Sequence, residues 1–167
     1  MLSAGEVKRL LRLVPLEPEG GCFAEAYRSR ATLAAGALPG LDSPRPLATA
    51  IYYLLEPGTF SALHRLRADE IFHFYLGDPV EMLQLGPGAD GRVLRLGGDL
   101  LAGERPQAVV PAGAWQGTRL VAGGRWALLG TTVSPGFDAA DFELGRRAEL
   151  LARWPAHGAT IEALTRG

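Results

Sequence analysis

An all-β sandwich or barrel with short flanking helices is the fold class this sequence predicts, on three observations. Strand-like runs follow one another almost without break from Leu47 to Pro135. Gly, Pro or Asp interrupts them roughly every ten residues, the spacing of short antiparallel strands joined by turns. Helical periodicity is confined to the two ends of the chain.

At 167 residues the chain fits a single domain, residues 1–167. A chain of that size buries about two-thirds of the surface its unfolded form exposes. Its 47% apolar and 21% charged content is that of an ordinary globular protein. The formal net charge is -1, and the basic residues, all arginine except Lys8, are scattered. That argues against a nucleic-acid partner, which needs a concentrated positive field. Cys22 is the one cysteine, which excludes an intrachain disulfide and is compatible with a reducing compartment. Cys22 itself reads as a small buried apolar residue. MLSAGEVKRLL lacks the apolar core and cleavage site of a signal peptide. No run approaches the roughly eighteen apolar residues of a membrane span. The expectation is a soluble, cytoplasmic protein without a membrane partner.

Along the chain, Ser3 and Glu6 form an S-x-x-E capping box. Val7, Leu10, Leu11 and Val14 follow at helical spacing, predicting a short N-terminal helix that Pro15 ends. Pro18 and the Gly20-Gly21 pair release the chain into CFAEAYRS, an alternating strand with Phe23, Glu25 and Tyr27 on one face. Residues 31–46, rich in Gly, Pro and Ala, have no period and read as a loop. LATAIYYLLEPG, TFSALHRL, DEIFHFYLGDP, VEMLQLGPGADG, RVLRLGGD, QAVVPAGAW, QGTRLVAGG and RWALLGTTVSPG then supply the strands. In FELGRRAELLARW, Leu144, Ala148, Leu151 and Ala152 share a helical face, and Pro155 stops the helix.

GTFSALHRLRADEIFHFYLG, residues 58–77, carries a more specific pattern. Gly58, His64, Leu66, Glu70 and Gly77 fall where the first motif of the cupin superfamily has Gly, His, a second His, Glu and Gly. Only the second histidine is missing. The second motif centres on Pro-x-Gly-x-x-His, for which this chain has Pro111, Gly113 and Gln116, with Gly103 further upstream than that motif's leading glycine. PEGGCFAEAYRS, ATAIYYLL, HRLRADEIFHFYLGDPVE, GERPQAVVPAGAWQ and TVSPGFDAADFELGRRAELL occur in order over most of residues 18–152. On these segments the chain resembles the cupin-5 group, long carried as a domain of unknown function. The resemblance implies a double-stranded β-helix, or jelly-roll barrel, usually a homodimer, with fold similarity to sugar-nucleotide epimerases and seed storage globulins. It implies no agreed reaction. The tapered interior of such a barrel can hold a small-molecule ligand.

Three function classes follow. The first is a metal-independent isomerase or epimerase acting next to a carbonyl on a sugar derivative or other small polar metabolite. The second is a metal-dependent enzyme with a reduced ligand set of His64, Glu70 and Gln116. The third is a non-catalytic small-molecule-binding protein. A transition metal in such a barrel usually takes three imidazoles and one carboxylate. Strand alternation turns Ala62 and Leu66 inward with His64, so Leu66 puts hydrocarbon where a ligand belongs. Gln116 offers only a neutral amide. No cofactor is therefore expected, with a divalent transition metal as the alternative.

His64 is the natural proton carrier near neutral pH, and Glu70 can orient it or stabilise its imidazolium. Cupin-fold epimerases pair a histidine base with a tyrosine acid. Tyr27, Tyr52 and Tyr53 are the candidates here, the alternative being that they are core, and Tyr27 is favoured because it shares a face with Glu25. The expected catalytic set is His64, Glu70 and Tyr27. The expected ligand-binding set is Glu25, Tyr53, Phe72, Gln107, Gln116 and Thr118. Phe72 shares the Glu70 side of its strand; Gln107 and Gln116 are polar anchors among apolar walls; Thr118 follows Gln116 by alternation, with Trp115 on the opposite face. His73 alternates away from Glu70 and reads as packed or at a dimer interface, and His157 as solvated. PGFDAADFEL reads as a lid over the barrel mouth or as a helix N-terminus capped by Asp138 or Asp141.

Overall fold

The capping box forms as its spacing predicts. Ser3 caps α1 (Ala4–Leu11), its hydroxyl accepting from the Glu6 amide while the Glu6 carboxylate accepts from the Ser3 amide at 2.8 Å. Arg12 ends the helix in a left-handed conformation, φ 55°, ahead of Pro15. The computed structural model describes residues 2–86 and 90–166; the turn expected around Pro87–Ala89 lies outside them.

The strands are β1 (Val14–Pro15), β2 (Cys22–Arg28), β3 (Thr32–Leu33), β4 (Arg45–Pro46), β5 (Thr49–Leu55), β6 (Phe60–Arg65), β7 (Asp69–Gly77), β8 (Val80–Leu85), β9 (Gly91–Leu96), β10 (Gln107–Val110), β11 (Trp115–Leu120), β12 (Ala127–Ser134) and β13 (Glu143–Leu144). They form a six-stranded sheet in the order β1-β2-β5-β12-β7-β10 and a five-stranded sheet in the order β13-β6-β11-β8-β9. The segment expected to be a featureless loop contains a small β3-β4 ribbon. The order is that of a jelly roll, in which sequence neighbours alternate between facing sheets. The connection from β7 to β8, which passes from one sheet to the other, turns at Gly77, whose φ of 98° suits glycine and whose absent Cβ leaves room for the Trp126 backbone.

Register in the larger sheet decides what faces inward. Leu129 pairs with Tyr53 and Phe74, Thr131 with Ile51 and Phe72, and Val133 with Thr49 and Glu70. Tyr53, Leu55, Phe72, Ala127 and Leu129 meet Val80, Met82 and Leu96 of the opposite sheet in a closed core. The barrel interior is thus packed at the end where β5 finishes and β12 begins.

The second core lies outside the five-stranded sheet, under α2 (Arg147–Arg153) and α3 (Gly158–Ala163). Leu63, Leu83, Leu85 and Trp115 pack there against Leu150, Trp154, Ile161 and Leu164. The helical face predicted from Leu144, Ala148, Leu151 and Ala152 is not the buried one. Leu144 belongs to β13, paired with His64 of β6, and Ala148 and Ala152 are exposed. Burying Leu150 and Trp154 removes far more apolar surface from water than burying two alanines, so the helix docks on them.

Candidate functional site

The other end of the barrel is hollow. A cavity of about 390 Å³ lies between β2, β5, β6, β7 and β12, roofed by the segments around Pro18 and Phe142. Leu16, Phe23, Ile51, Leu66, Val133 and Phe142 give it apolar walls, and its polar groups are chiefly Glu19, His64 and Glu70. Apolar walls around a few converging polar groups are the usual make-up of a small-molecule site.

His64 comes from β6 and is 2% exposed. Its Nδ1 lies 2.7 Å from the Ala62 carbonyl oxygen, which only accepts, so Nδ1 carries the hydrogen. Its Nε2 accepts from the Gln116 amide nitrogen at 3.0 Å. The same nitrogen donates its other hydrogen to Glu70 Oε2 at 2.5 Å. Gln116 therefore bridges imidazole and carboxylate. β11 pairs Gln116 directly with His64, and β7 brings Glu70 across the barrel in the other sheet.

Glu70 is buried, and burial, its largest perturbation, pushes its pKa up to about 7 from an ordinary 4.5. Charge on His64 opposes that shift, Glu19 adds to it, and hydrogen bonds from Thr131 and Gln116 hold it back. A carboxyl group at about 7 is populated in both protonation states near neutrality.

Glu19 is the site residue that strand periodicity could not reveal. It sits in the connection between β1 and β2, where no alternation exists to read. Its Oε1 accepts from Ser61 Oγ at 2.6 Å, and its Oε2 lies 3.9 Å from His64 Nε2. The signal available was its place ahead of Gly20 and Gly21. Gly20, at φ 112°, approaches the Phe60 backbone so closely that a Cβ would collide, and this draws Glu19 onto the barrel end.

PGFDAADFEL is both a capped turn and a cover for the cavity. Asp138 caps a short 3₁₀ turn, Ala139–Asp141, accepting from the Ala140 amide at 2.9 Å. Phe137 and Phe142 on either side line the cavity, and Phe142 stacks on the His64 ring at 4.9 Å between centroids. Arg45 clamps the segment through Asp141, with two contacts of 3.2 Å. β13 fixes its far end beside His64.

Several expected site residues lie elsewhere. Tyr27 is 55% exposed and outside the cavity. A bulge in β2 between Glu25 and Tyr27 inserts Ala26, so the alternation that paired their faces fails there. Glu25 does line the cavity, at its rim, ion-paired with Arg28 at 2.7 Å. Gln107 is exposed on the outer face of β10, 3.4 Å from His73 Nδ1, because Ala108 and Val110 are the inward residues of that strand. His73 faces away from Glu70, as alternation predicts. Tyr53 is core: its hydroxyl donates to the Gly20 carbonyl at 2.8 Å, and burial with nearby Glu19 holds its pKa well above that of a free phenol. Phe72 and Thr118 are buried on the expected side but pack below the cavity rather than lining it. His157 is half-buried, its ring against Gly91.

A family model described as Cupin superfamily (DUF985) matches residues 6–145. The chain belongs to the Cupin_5 family. Solved structures resemble it over its whole length: a Shewanella oneidensis protein is 37% identical with a TM-score of 0.86, covering 99% of both chains. A hypothetical protein from Leishmania major is 32% identical with a TM-score of 0.88, covering 99% of this chain and 100% of that one. Oxalate decarboxylase from Bacillus subtilis shares the fold alone, at 14% identity and a TM-score of 0.55, covering 91% of this chain and 37% of that one. No curated protein matches.

The metal that the cupin fold commonly carries does not suit this donor set. Leu66 lines the cavity where a second imidazole would stand. Gln116, on the other expected ligand position, offers a neutral amide that is already engaged with His64 and Glu70. Among the described residues no three His, Cys, Asp or Glu side chains are grouped to hold a metal ion. No helix among them is long and apolar enough to cross a membrane.

Proposed function

We propose that this cupin binds a small carbonyl metabolite in the hollow end of the barrel and moves a proton next to that carbonyl, an isomerase- or epimerase-type reaction run by side chains alone. The observation that carries the proposal is the convergence of Glu70, His64 and Glu19 on one apolar-walled cavity, with the Glu70 pKa at about 7. As a carboxylate, Glu70 takes a proton from the carbon beside the carbonyl, and the C–H electron pair passes to the carbonyl oxygen. The protonated Glu70 then returns the proton to the other face of the same carbon, as the oxyanion's electron pair re-forms the C=O. In a hydroxy-carbonyl ligand it goes instead to the former carbonyl carbon, while the ligand's hydroxyl proton passes to the oxyanion and the hydroxyl's own C–O becomes the new C=O.

None of the three candidate tyrosines supplies the acid: Tyr27 is outside the cavity, Tyr52 packs on the Val7, Leu54 and Leu128 cluster edge-on to Tyr75, and Tyr53 is committed to Gly20. His64 supports the step through Gln116. In this arrangement both His64 nitrogens are engaged, Nδ1 with the Ala62 carbonyl and Nε2 with the amide. A half-turn of the Gln116 amide about its last torsion presents Oε1 instead, which accepts from a protonated His64 Nε2 or a protonated Glu70. An amide thus serves both protonation states of its neighbours.

Proton–deuterium exchange into a panel of small carbonyl compounds in D2O, followed by NMR, tests this. Wild type should label the carbon next to the carbonyl of at least one compound it binds, with or without EDTA. Glu70→Gln should lower the exchange rate about 10²-fold or more, the usual scale of a lost general base, while binding is retained. Binding without exchange in wild type sinks the catalytic proposal and leaves a small-molecule receptacle.

A further inference from the structure

The cavity has a charge asymmetry that its surroundings do not correct. Glu17, Glu19, Glu25 and Glu70 line it, and no lysine or arginine is among the described lining residues. Arg28 neutralises Glu25. Arg45 beside the lid is occupied by Asp138 and Asp141, and Arg166 donates to the Glu19 backbone carbonyl at 3.1 Å and lies over the Phe60 ring. Glu19 Oε2 lies 3.9 Å from the His64 imidazole and has no lysine or arginine paired with it among the described residues.

A second observation points the same way. Phe23, Phe137 and Phe142 surround the space above with aromatic rings, which attract cations at their faces.

We infer that the ligand of this cavity is cationic at its polar end: a small amine with an apolar body, rather than a carboxylate, phosphate or sugar nucleotide. This rests on the cavity being a ligand site, as proposed above, and narrows the substrates of that reaction to amine-bearing carbonyl compounds. An anion entering here meets Glu19 in a low-dielectric space with no compensating cation, whereas an ammonium supplies the missing one. The groups facing Glu70 are His64, Glu19, Thr131, Gln116 and Tyr53, none of them a fixed cation. An ammonium in the cavity therefore favours ionised Glu70, and its binding near neutral pH releases a proton.

Benzylamine, benzyl alcohol and benzoate share one apolar body and differ in the head group. Each is titrated calorimetrically into the wild-type protein at low salt near pH 7.5, with the His64 ring resonances reporting whether the probe enters the cavity. Benzylamine should bind at least about tenfold more tightly than benzoate, with benzyl alcohol between them, a gap that one unscreened charge at contact readily supplies. Its proton release should vanish in Glu70→Gln, and its advantage over the alcohol should shrink in Glu19→Gln. If benzoate or the alcohol shifts His64 and binds as tightly as the amine, the cationic assignment falls while the ligand site stands. If none of the three binds, both fall. The three wild-type titrations decide between these outcomes without any variant, so poor folding of Glu19→Gln does not affect them.

Discussion

The two ends of the barrel interior are built from the same strands and made for opposite purposes. On β5 the inward residues run Thr49, Ile51, Tyr53, Leu55; on β12 they run Val133, Thr131, Leu129, Ala127, in matching register. Where Tyr53, Phe72 and Leu129 stand, they close on Val80, Met82 and Leu96 at near-zero exposure. One to two residue pairs further along, Thr49, Ile51, Thr131, Val133 and Glu70 line a cavity instead. Backbone hydrogen bonding continues through both ends, so the sheet does not distinguish them. Side-chain volume and polarity do. The packed end anchors the strands, and that rigidity holds a buried carboxyl and imidazole in fixed relation at the open end.

Truncating matched apolar residues at each end puts this contrast under the severest test. Phe72→Ala should cost about 3–5 kcal/mol, because it leaves a void that its interlocked neighbours cannot fill. Val133→Ala, whose side chain already borders empty space, should cost about 1 kcal/mol. Urea denaturation of both variants checks this. Equal costs would mean that the two ends are packed alike and that the cavity is not a pre-formed feature.

Next in size is the penalty of ionising Glu70. Its folded pKa of about 7 lies above the ordinary 4.5, so the group contributes stability fully below about pH 4.5 and loses it as pH rises through about 7. A shift from 4.5 to about 7 corresponds to up to about 3 kcal/mol. Glu70→Gln removes the titration, so its stability relative to wild type should rise from pH 4.5 to pH 7 and level off above. Denaturation midpoints across pH 4–9 read this out. A difference that stays flat with pH would show that Glu70 is not held near neutrality.

The open end is also where the sequence is hardest to interpret, and for a physical reason. Strand periodicity locates residues whose neighbours alternate, which is why it turns His64, Glu70 and Leu66 inward and His73 outward. It fails at a bulge, and Ala26 moves Tyr27 to the surface. It gives no absolute phase to a short strand such as β10, so it leaves Gln107 on the wrong face. It is silent in a connection, which hides Glu19. The packed end, by contrast, carries large apolar residues whose pattern and burial agree even beside the register shift between Leu128 and Leu129. Functional groups accumulate at strand ends, loops and irregularities, where pattern is weakest.

The smallest expected effect isolates one hydrogen bond at the boundary between the ends. Thr131 pairs across β12 with Ile51 and Phe72, yet its hydroxyl lowers the Glu70 pKa by hydrogen bonding to the carboxylate. Thr131→Val keeps the volume and the strand preference while removing that donor. Below pH 4.5, with Glu70 protonated in folded and unfolded states alike, the variant should be nearly as stable as wild type. Above pH 7 it should lose about 1 kcal/mol, the net worth of such a bond, because the carboxylate has one partner fewer. Its Glu70 titration, followed by carbon-detected NMR of the carboxyl, should move up accordingly. A midpoint that stays in place would assign the restraint on Glu70 to Gln116 and the His64 charge, and would make Thr131 part of the wall alone.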